Sequence, residues 1–347
     1  MASTIIFTQA FNAEHTIKRT IESVLTQTRG NFEYYILDNG STDYTLDIIN
    51  EYAKGDKRIK PIRLNTNDIT NGGAFFTAII NLTSAKYFVW CDSDDEYTPD
   101  FLENMVAFSE ENKLDIAACG YRKIDAYTNE ITKHRALSEN LVLYGNAFVD
   151  EFIKYRGFTT YLWGKLYTID HLKTNCTVGT EKTNRICNDS IWMLDVFKKA
   201  DRAGVFGKAM YNYYQYPRSL SHSNIEVSLS SYNDLWVKTK EYIEYYGPVN
   251  KANEDFLYAI YLSLVDEAVG NVFVAELTTE EKLRCILKIF SSPVWEDTMK
   301  RDANPQFQNL AARNEFVKNI KHKIFALPQI EYHKIIADDV LRYLYAV

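Results

Sequence analysis

Four short apolar runs, each followed by a stretch of helical spacing, restrict the fold of this chain more than any other feature. STIIFTQAF (3–11) is β-branched, apolar and short, as a buried strand is, and Asn12 to Gln27 follows with Ile17, Ile21, Val24 and Leu25 at helical spacing. A second strand over 32–37 stops at Asp38-Asn39-Gly40-Ser41-Thr42-Asp43, and a helix from Leu46 to Tyr52 follows. The third pair is IKPIRLN (59–65) and a helix opened by Gly72-Gly73 that runs to about Leu82. The fourth strand, YFVWC (87–91), ends at Asp92-Ser93-Asp94-Asp95. This alternation predicts an α/β fold, a mostly parallel sheet with helices on both faces. Such sheets bind ligands beyond the carboxyl ends of their strands. Three of those ends carry AFNAE, DNGSTD and DSDD, and all lie along one edge.

The length of 347 residues fits two domains at roughly 150 residues each. Another strand is expected over 115–123, and 136–224 is mixed. From about Ser228 the pattern becomes helical throughout. The reading is therefore an α/β domain over 1–225, with halves at about 1–108 and 109–225, and a helical region of four to six helices over 226–347. With 39 basic and 46 acidic residues the net charge is −7, so the broad positive field of a nucleic-acid binder is absent. The five cysteines form no CxxC pair, and a reduced compartment fits them best. The N-terminal segment lacks a basic n-region, and no apolar run approaches the length of a membrane span. A cytoplasmic protein is expected.

Three carboxylates within four residues repel one another unless a cation neutralises them. Asp92 and Asp94, two apart on an extended turn, can both reach one hard cation. Mg²⁺ or Mn²⁺ uses few protein carboxylates and keeps positions for water and phosphate oxygens. The plain alternative is a solvated turn whose Asp caps the next helix. An EF-hand loop is not indicated, because Tyr97 stands where the turn needs glycine and a strand precedes the loop.

FNAEHTIKRTIESVLTQT, FEYYILDNGSTDYTLDII, NGG and YFVWCDSDDEYTPDFLENM, in this order and spacing, resemble the inverting glycosyltransferases of family 2, most of all those that build bacterial surface glycans. The resemblance is close over about 3–108, weaker over 109–224, and silent on 226–347. It implies the GT-A fold, a nucleotide-diphosphate sugar donor, with a UDP-sugar as the first candidate, and Mn²⁺ or Mg²⁺. Carried over by position, it assigns Thr8, Ala10, Phe11, Asn12 and Glu14 to the base and ribose, with Asp38 and Asn39 at the second strand's end. Asn39 stands where the family usually has an acid that accepts from the base, so the base itself stays open. Asn71 and Gly73 match the family's N-x-G near the base, while Phe75-Phe76-Thr77 occupies the region where an Arg often touches the diphosphate. Asp94 matches the direct metal ligand. Asp92 matches the acid that holds ribose or a metal-bound water, with Ser93 between them on the nucleotide.

Asp95 is a candidate for donor-sugar hydroxyls or for capping the helix that begins near Pro99. Asp189, 95 residues beyond Asp94 and ahead of SIWMLDVF, matches the catalytic base, with a simple N-cap as the alternative. At a helix start the dipole favours its charged form. Trp163 and Lys165, in WGKLY, are candidates for donor sugar or acceptor, against a purely structural role. Arg218 and His222, in YPRSLSHS, are candidates for the diphosphate. The acceptor implied is a glycan or lipid-linked glycan. The helical tail suits pairing of two copies, and the basic, apolar stretch 317–328 suits peripheral contact with the inner face of a membrane. Two rivals stand beside this reading. A nucleotidyltransferase needs a glycine-rich basic loop after the first strand, which Phe11-Asn12-Ala13-Glu14 is not. A degenerate, non-catalytic nucleotide- or sugar-binding module is the other.

Overall fold

The computed structural model describes residues 3–67, 71–175, 188–216, 225–300 and 310–345. The chain divides into two compact units, Met1–Thr183 with Asp189–Pro217, and Asn184–Asn188 with Arg218–Val347.

The first unit opens with β1 (Thr4–Ala10), α1 (Ile17–Leu25), β2 (Phe32–Asp38), α2 (Thr45–Gly55), β3 (Ile59–Arg63), α3 (Asn71–Leu82) and β4 (Tyr87–Trp90). All four strands run parallel, in the order β3-β2-β1-β4. After the two-residue β5 (Glu96–Tyr97) come α4 (Phe101–Asn112), β6 (Ile116–Asp125), β7 (Ile131–Arg135) and β8 (Leu141–Tyr144). The short helices α5 (Ala147–Asp150) and α6 (Phe152–Tyr155) lead to β9 (Lys165–Thr168), α7 (Ile169–Asn175), α8 (Asn188–Lys198) and the long β10 (Arg202–Gln215). These strands extend the sheet as β4-β9-β6-β10-β5, with β7 on β6 and β8 on β10. The β6–β10 ladder is parallel, while β9, β7, β8 and β5 pair antiparallel. The sheet is thus mixed and mostly parallel, as expected.

Strand alternation sorts the core into two layers. Ile6, Ala10, Ile36 and Val89 pack beneath α1 and α4 through Ile17, Ile21, Met105 and Val106. On the other face Phe7 meets Trp90 edge-on at 4.9 Å, and Phe76 of α3 meets Phe88 at 4.9 Å. Phe76 is therefore core, and the place of the family's Arg is taken by packing. The first helix starts five residues later than its spacing predicts. Asn12 adopts a left-handed φ of 48° and its Oδ1 accepts the Thr42 N–H at 2.9 Å, so 12–16 is a clamp rather than a helical turn.

The second unit is helical, as expected: α9 (Ile225–Tyr246), α10 (Lys251–Val274), α11 (Thr279–Phe290), α12 (Pro293–Lys300), α13 (Leu310–Phe325) and α14 (Lys334–Leu344). Asn250 caps α10, and a Thr278–Glu281 capping box starts α11. Trp295, fully buried, packs on Phe290 at 4.6 Å and donates Nε1–H to the Tyr343 carbonyl at 3.1 Å. Among the described residues one helix, Lys251–Val274, is long and apolar enough by length and composition to cross a membrane. Leu257, Tyr261, Val265, Val269 and Val272 of that helix are buried within the protein. The stretch 317–328 likewise buries Val317, Ile320, Ile324 and Leu327, while Phe325 is 52% exposed.

Candidate active site

The carboxyl ends of β1, β2 and β4 meet in one place, as parallel neighbours must. The β1 end and the loop after β2 are laced together. The Ala10 carbonyl accepts the Asn39 N–H at 2.8 Å, the Asn12 N–H donates to Ser41 Oγ at 3.0 Å, and Glu14 Oε2 accepts the Tyr44 N–H at 3.0 Å. Asp38 and Asn39 are each 1% exposed. Asp38 Oδ1 accepts the Ser41 N–H at 3.2 Å, and Asn39 Nδ2 donates to Asn67 Oδ1 at 2.8 Å. Gly40 makes this turn possible. Its φ is +79°, and a Cβ there would lie 2.8 Å from the Thr66 carbonyl carbon.

Of the nucleotide candidates at the β1 end, Thr8 and Ala10 are fully buried. The Thr8 hydroxyl donates to the Cys91 carbonyl at 2.8 Å and shares a 2.9 Å hydrogen bond with the Tyr34 hydroxyl. Phe11, by contrast, is 43% exposed, with a ring free to cover a flat ligand. Gly73 sits in the first turn of α3, its carbonyl accepting the Thr77 hydroxyl at 2.8 Å. The side chain of Asn71 lies outside the described residues, as do Arg218 and His222.

The acidic loop is held from three sides. Trp90 Nε1–H donates to Asp92 Oδ1 at 2.9 Å. From α1, the Thr20 hydroxyl donates to the Asp95 carbonyl at 2.8 Å, and Arg19 donates to the Asp94 carbonyl. The Arg19 guanidinium lies 3.5 Å from the Tyr214 ring centroid and donates to the Tyr216 hydroxyl at 3.2 Å. From β10, the Tyr211 hydroxyl donates to Asp95 Oδ2 at 2.8 Å, and the Tyr214 N–H donates to Asp95 Oδ1 at 2.8 Å. Asp95 has no exposed surface, and both its oxygens are engaged by β10. It sits beneath the loop. Nor does it cap the next helix, where Asp100 occupies the N-cap position.

Asp92, Ser93 and Asp94 remain half-buried above it. Burial raises the Asp92 carboxyl to about 7, helped by Asp94 and Asp189, while the Trp90 hydrogen bond opposes the rise. Asp94 is raised too, by burial, with Arg19 opposing. Asp189 lies in the first turn of α8 and keeps an exposed surface, while the protein around it still desolvates its carboxyl. Burial therefore raises it to about 6, and Lys165 opposes. The dipole expectation was a lowered carboxyl, and desolvation outweighs it. The charge of Asp189 is felt at Asp92, so two acids 97 residues apart in the sequence lie within electrostatic reach of each other. The start of α8 is pinned by the Ser190 hydroxyl, which donates to the Thr160 carbonyl at 2.9 Å.

Lys165, 3% exposed, donates to the carbonyls of Tyr161 and, at 3.2 Å, Trp163. Burial lowers it to about 7, against the pull of Cys119 and Asp189. Trp163 is 5% exposed, stacked on Tyr161 and on Tyr211 at 4.3 Å each. Both side chains are therefore buried in the first unit. Tyr211, Tyr214, Arg19 and Trp90 carry site contacts that the motif reading missed. The alternating tyrosines of YNYYQY were the available signal for β10.

Among the described residues no three His, Cys, Asp or Glu side chains converge to cage a metal. Asp92 and Asp94 still fit a divalent cation that keeps positions for water and diphosphate oxygens. They are hard oxygen donors, and after burial the charge of Asp94 is the next largest contribution to the raised Asp92 carboxyl.

The family model described as Glycosyl transferase family 2 matches residues 5–180. The uncharacterized glycosyltransferase EpsJ of Bacillus subtilis is 25% identical over 256 residues, which is 72% of this chain and 72% of EpsJ. WfaP of Escherichia coli, a UDP-Glc:alpha-D-GlcNAc-diphosphoundecaprenol beta-1,3-glucosyltransferase, is 33% identical over 116 residues, 33% of this chain and 45% of WfaP. Among solved structures, S. aureus TarS 1-349 in complex with UDP-GlcNAc has a TM-score of 0.63 at 18% identity, covering 99% of this chain and 90% of that one. At that identity the likeness is one of fold, and the fold is the GT-A arrangement.

Proposed function

The chain belongs to glycosyl transferase family 2 and is a glycosyltransferase, and on that premise we propose a metal-dependent, inverting sugar transfer from a nucleotide-diphosphate donor to a glycan or lipid-linked glycan in bacterial surface-polysaccharide synthesis. The observation that carries it is that Asp92, just beyond the end of β4, feels the charges of both Asp94 and Asp189, the latter at the start of α8.

Asp189 is the base. A carboxyl near 6 is largely ionised at neutral pH yet basic enough to take a proton. It removes the proton of the acceptor hydroxyl as that oxygen bonds to the anomeric carbon. The bond from that carbon to the diphosphate oxygen breaks on the opposite face, so the configuration inverts and a nucleoside diphosphate leaves. Asp94 and Asp92 would hold Mn²⁺ or Mg²⁺, which supplies positive charge to the departing diphosphate when bound. Arg19 adds a cation beside Asp94, from α1. Phe11, at the mouth of the β1 end, covers the base, while Asn12, Glu14, Asp38 and Asn39 keep the loops beneath it in place. UDP is the favoured nucleotide, supported by the donor in WfaP's name and by UDP-GlcNAc in the TarS complex. Nothing among the described residues favours a non-catalytic module.

The test is a calorimetric panel of UDP, GDP, CDP and dTDP, each with and without Mn²⁺, on the wild type and on Asp94→Ala. Metal-dependent binding of one nucleotide, lost in the variant, is expected. Folded wild-type protein that binds none of the four overturns the reading.

A further inference from the structure

The acidic loop divides the edge of the sheet into two sides. β1 and β2 lie on one side of β4, and β9, β6 and β10 lie on the other. The carboxyl ends of β6 and β10 share that edge, because the two run parallel and β6, through antiparallel β9, runs parallel to β4. In an inverting transfer the acceptor oxygen approaches the anomeric carbon from the face opposite the departing diphosphate. On the proposed reading the nucleotide sits at the ends of β1 and β2 and the metal on the acidic loop. The acceptor then arrives from the side of β6 and β10.

Two tyrosines stand there. Tyr216 follows the last residue of β10, and Tyr127 lies in the turn between β6 and β7. Their rings meet at 75° with centroids 6.4 Å apart. Tyr127 is 74% exposed, and Tyr216 is half-buried. A lone exposed tyrosine needs no function, but both members of this pair are held in place. Asp125 Oδ1 accepts the N–H groups of Tyr127 at 2.9 Å and Thr128 at 2.8 Å. The Asp125 carbonyl accepts the Asn129 N–H at 2.9 Å, and Asn129 closes the turn with a left-handed φ of 59°. The backbone that presents Tyr127 to solvent is therefore fixed. Tyr216 is fixed from the site itself. One nitrogen, Arg19 Nη2, donates both to the Tyr216 hydroxyl, at 3.2 Å, and to the Asp94 carbonyl, while the guanidinium covers the Tyr214 ring. Tyr161 and Tyr213 differ from this pair, since both are stacked on Trp163. Among the described residues the ring that Tyr127 meets is that of Tyr216.

We propose that Tyr127 and Tyr216 form the floor and wall of a subsite for a pyranose ring of the acceptor glycan, with Arg19 as the positioning residue that ties it to the acidic loop. Two rings near a right angle leave a corner. The C–H face of a sugar covers one ring while its edge abuts the other, and each tyrosine keeps a hydroxyl for the polar rim. The inference rests on the acceptor-transfer reading.

The test is saturation-transfer NMR on the full chain with UDP and Mg²⁺, which is diamagnetic. The probes are N,N′-diacetylchitobiose, cellobiose and mannobiose. At least one is expected to receive saturation from the wild type, and its affinity is expected to fall at least about threefold in Tyr127→Ala. Tyr127→Phe keeps the ring and should keep the binding. Arg19→Gln, which frees Tyr216, should weaken the same saccharide. Melting curves show that each variant is folded. No transfer to any of the three saccharides from folded wild type overturns the proposal. So does undiminished binding by Tyr127→Ala, or a loss in Tyr127→Phe equal to that in Tyr127→Ala. UDP titrations run in parallel read the donor side separately. Wild type that binds no UDP strikes the transferase reading, whereas UDP binding without saccharide binding strikes the subsite alone.

Discussion

The Tyr211 hydroxyl donates to Asp95 Oδ2 at 2.8 Å and accepts the Asp92 N–H at 3.3 Å, so one side chain of β10 ties a buried carboxylate to the first residue of the acidic loop. Removing that hydroxyl leaves Asp95 with one engaged oxygen in a site closed to water. Tyr211→Phe is expected to lose about 1–3 kcal/mol of stability, the cost of an unsatisfied buried polar group. Mn²⁺-dependent UDP binding is expected to weaken as the loop loosens. Thermal melting and a Mn²⁺ titration at fixed UDP check both, and an unchanged melt together with unchanged Mn²⁺ affinity contradicts the assignment of Asp95 as the loop's anchor.

Lys165 and Asp189 act on each other in opposite senses. The ammonium lowers the carboxyl, while burial raises it to about 6. Asp189→Asn is expected to cut kcat by about 10²–10⁴ with nucleotide affinity kept, the loss that accompanies removal of a general base. In the wild type, kcat/KM should rise with pH on an acid limb near that carboxyl's value of about 6. Lys165→Met removes the charge that favours the carboxylate, so the limb should move to higher pH. A limb that stays in place in Lys165→Met separates the lysine from the base.

Gly40 makes a cleaner backbone test. Its φ is +79°, and a Cβ would lie 2.8 Å from the Thr66 carbonyl carbon and 2.9 Å from the Asn67 nitrogen. Gly40→Ala is expected to destabilise by about 1–3 kcal/mol and to disturb the Asn39–Asn67 hydrogen bond, weakening UDP binding. Gly55→Ala, where an added Cβ meets nothing within 4 Å, is the control. It should be neutral or stabilising by up to about 1 kcal/mol. Equal melting temperatures for the two variants count against the turn's role.

The parts of this architecture that depend on local pattern were legible in the sequence. β1 to β4 and the helices between them follow from apolar runs and spacing, and the convergence of strand ends follows from parallel order alone. What was not legible depends on pairing over long separations. Nothing local distinguishes Asp95 from Asp92 or Asp94. Its burial is decided by β10, with Tyr211 lying 116 residues further along. Trp163 offered an aromatic face in the sequence, but Tyr161 and Tyr211 stack on that ring. The position of Asp189 was legible from the motif, whereas its raised carboxyl was not. The dipole is visible in a helix start, while desolvation is a property of everything packed around it.

The same desolvation makes the protein's stability respond to pH and to metal in a linked way. Asp92 is raised to about 7 and Asp189 to about 6, both above the ordinary carboxylate value of 3.8. The folded state therefore holds more protons than the unfolded state between those limits, and stability contributed by these groups falls as pH rises through that window. A divalent cation competes with the protons for Asp92 and Asp94, so its stabilisation grows over the same range. The expected result is a melting temperature, for metal-free protein, that drops more steeply between about pH 5 and pH 8 in the wild type than in Asp92→Asn. Mn²⁺ should raise the wild-type melting temperature more at the upper end than at the lower. Melting curves at both pH values, with and without Mn²⁺, measure the difference. Parallel pH slopes for the two proteins would mean that Asp92 does not titrate with a raised value in the folded state.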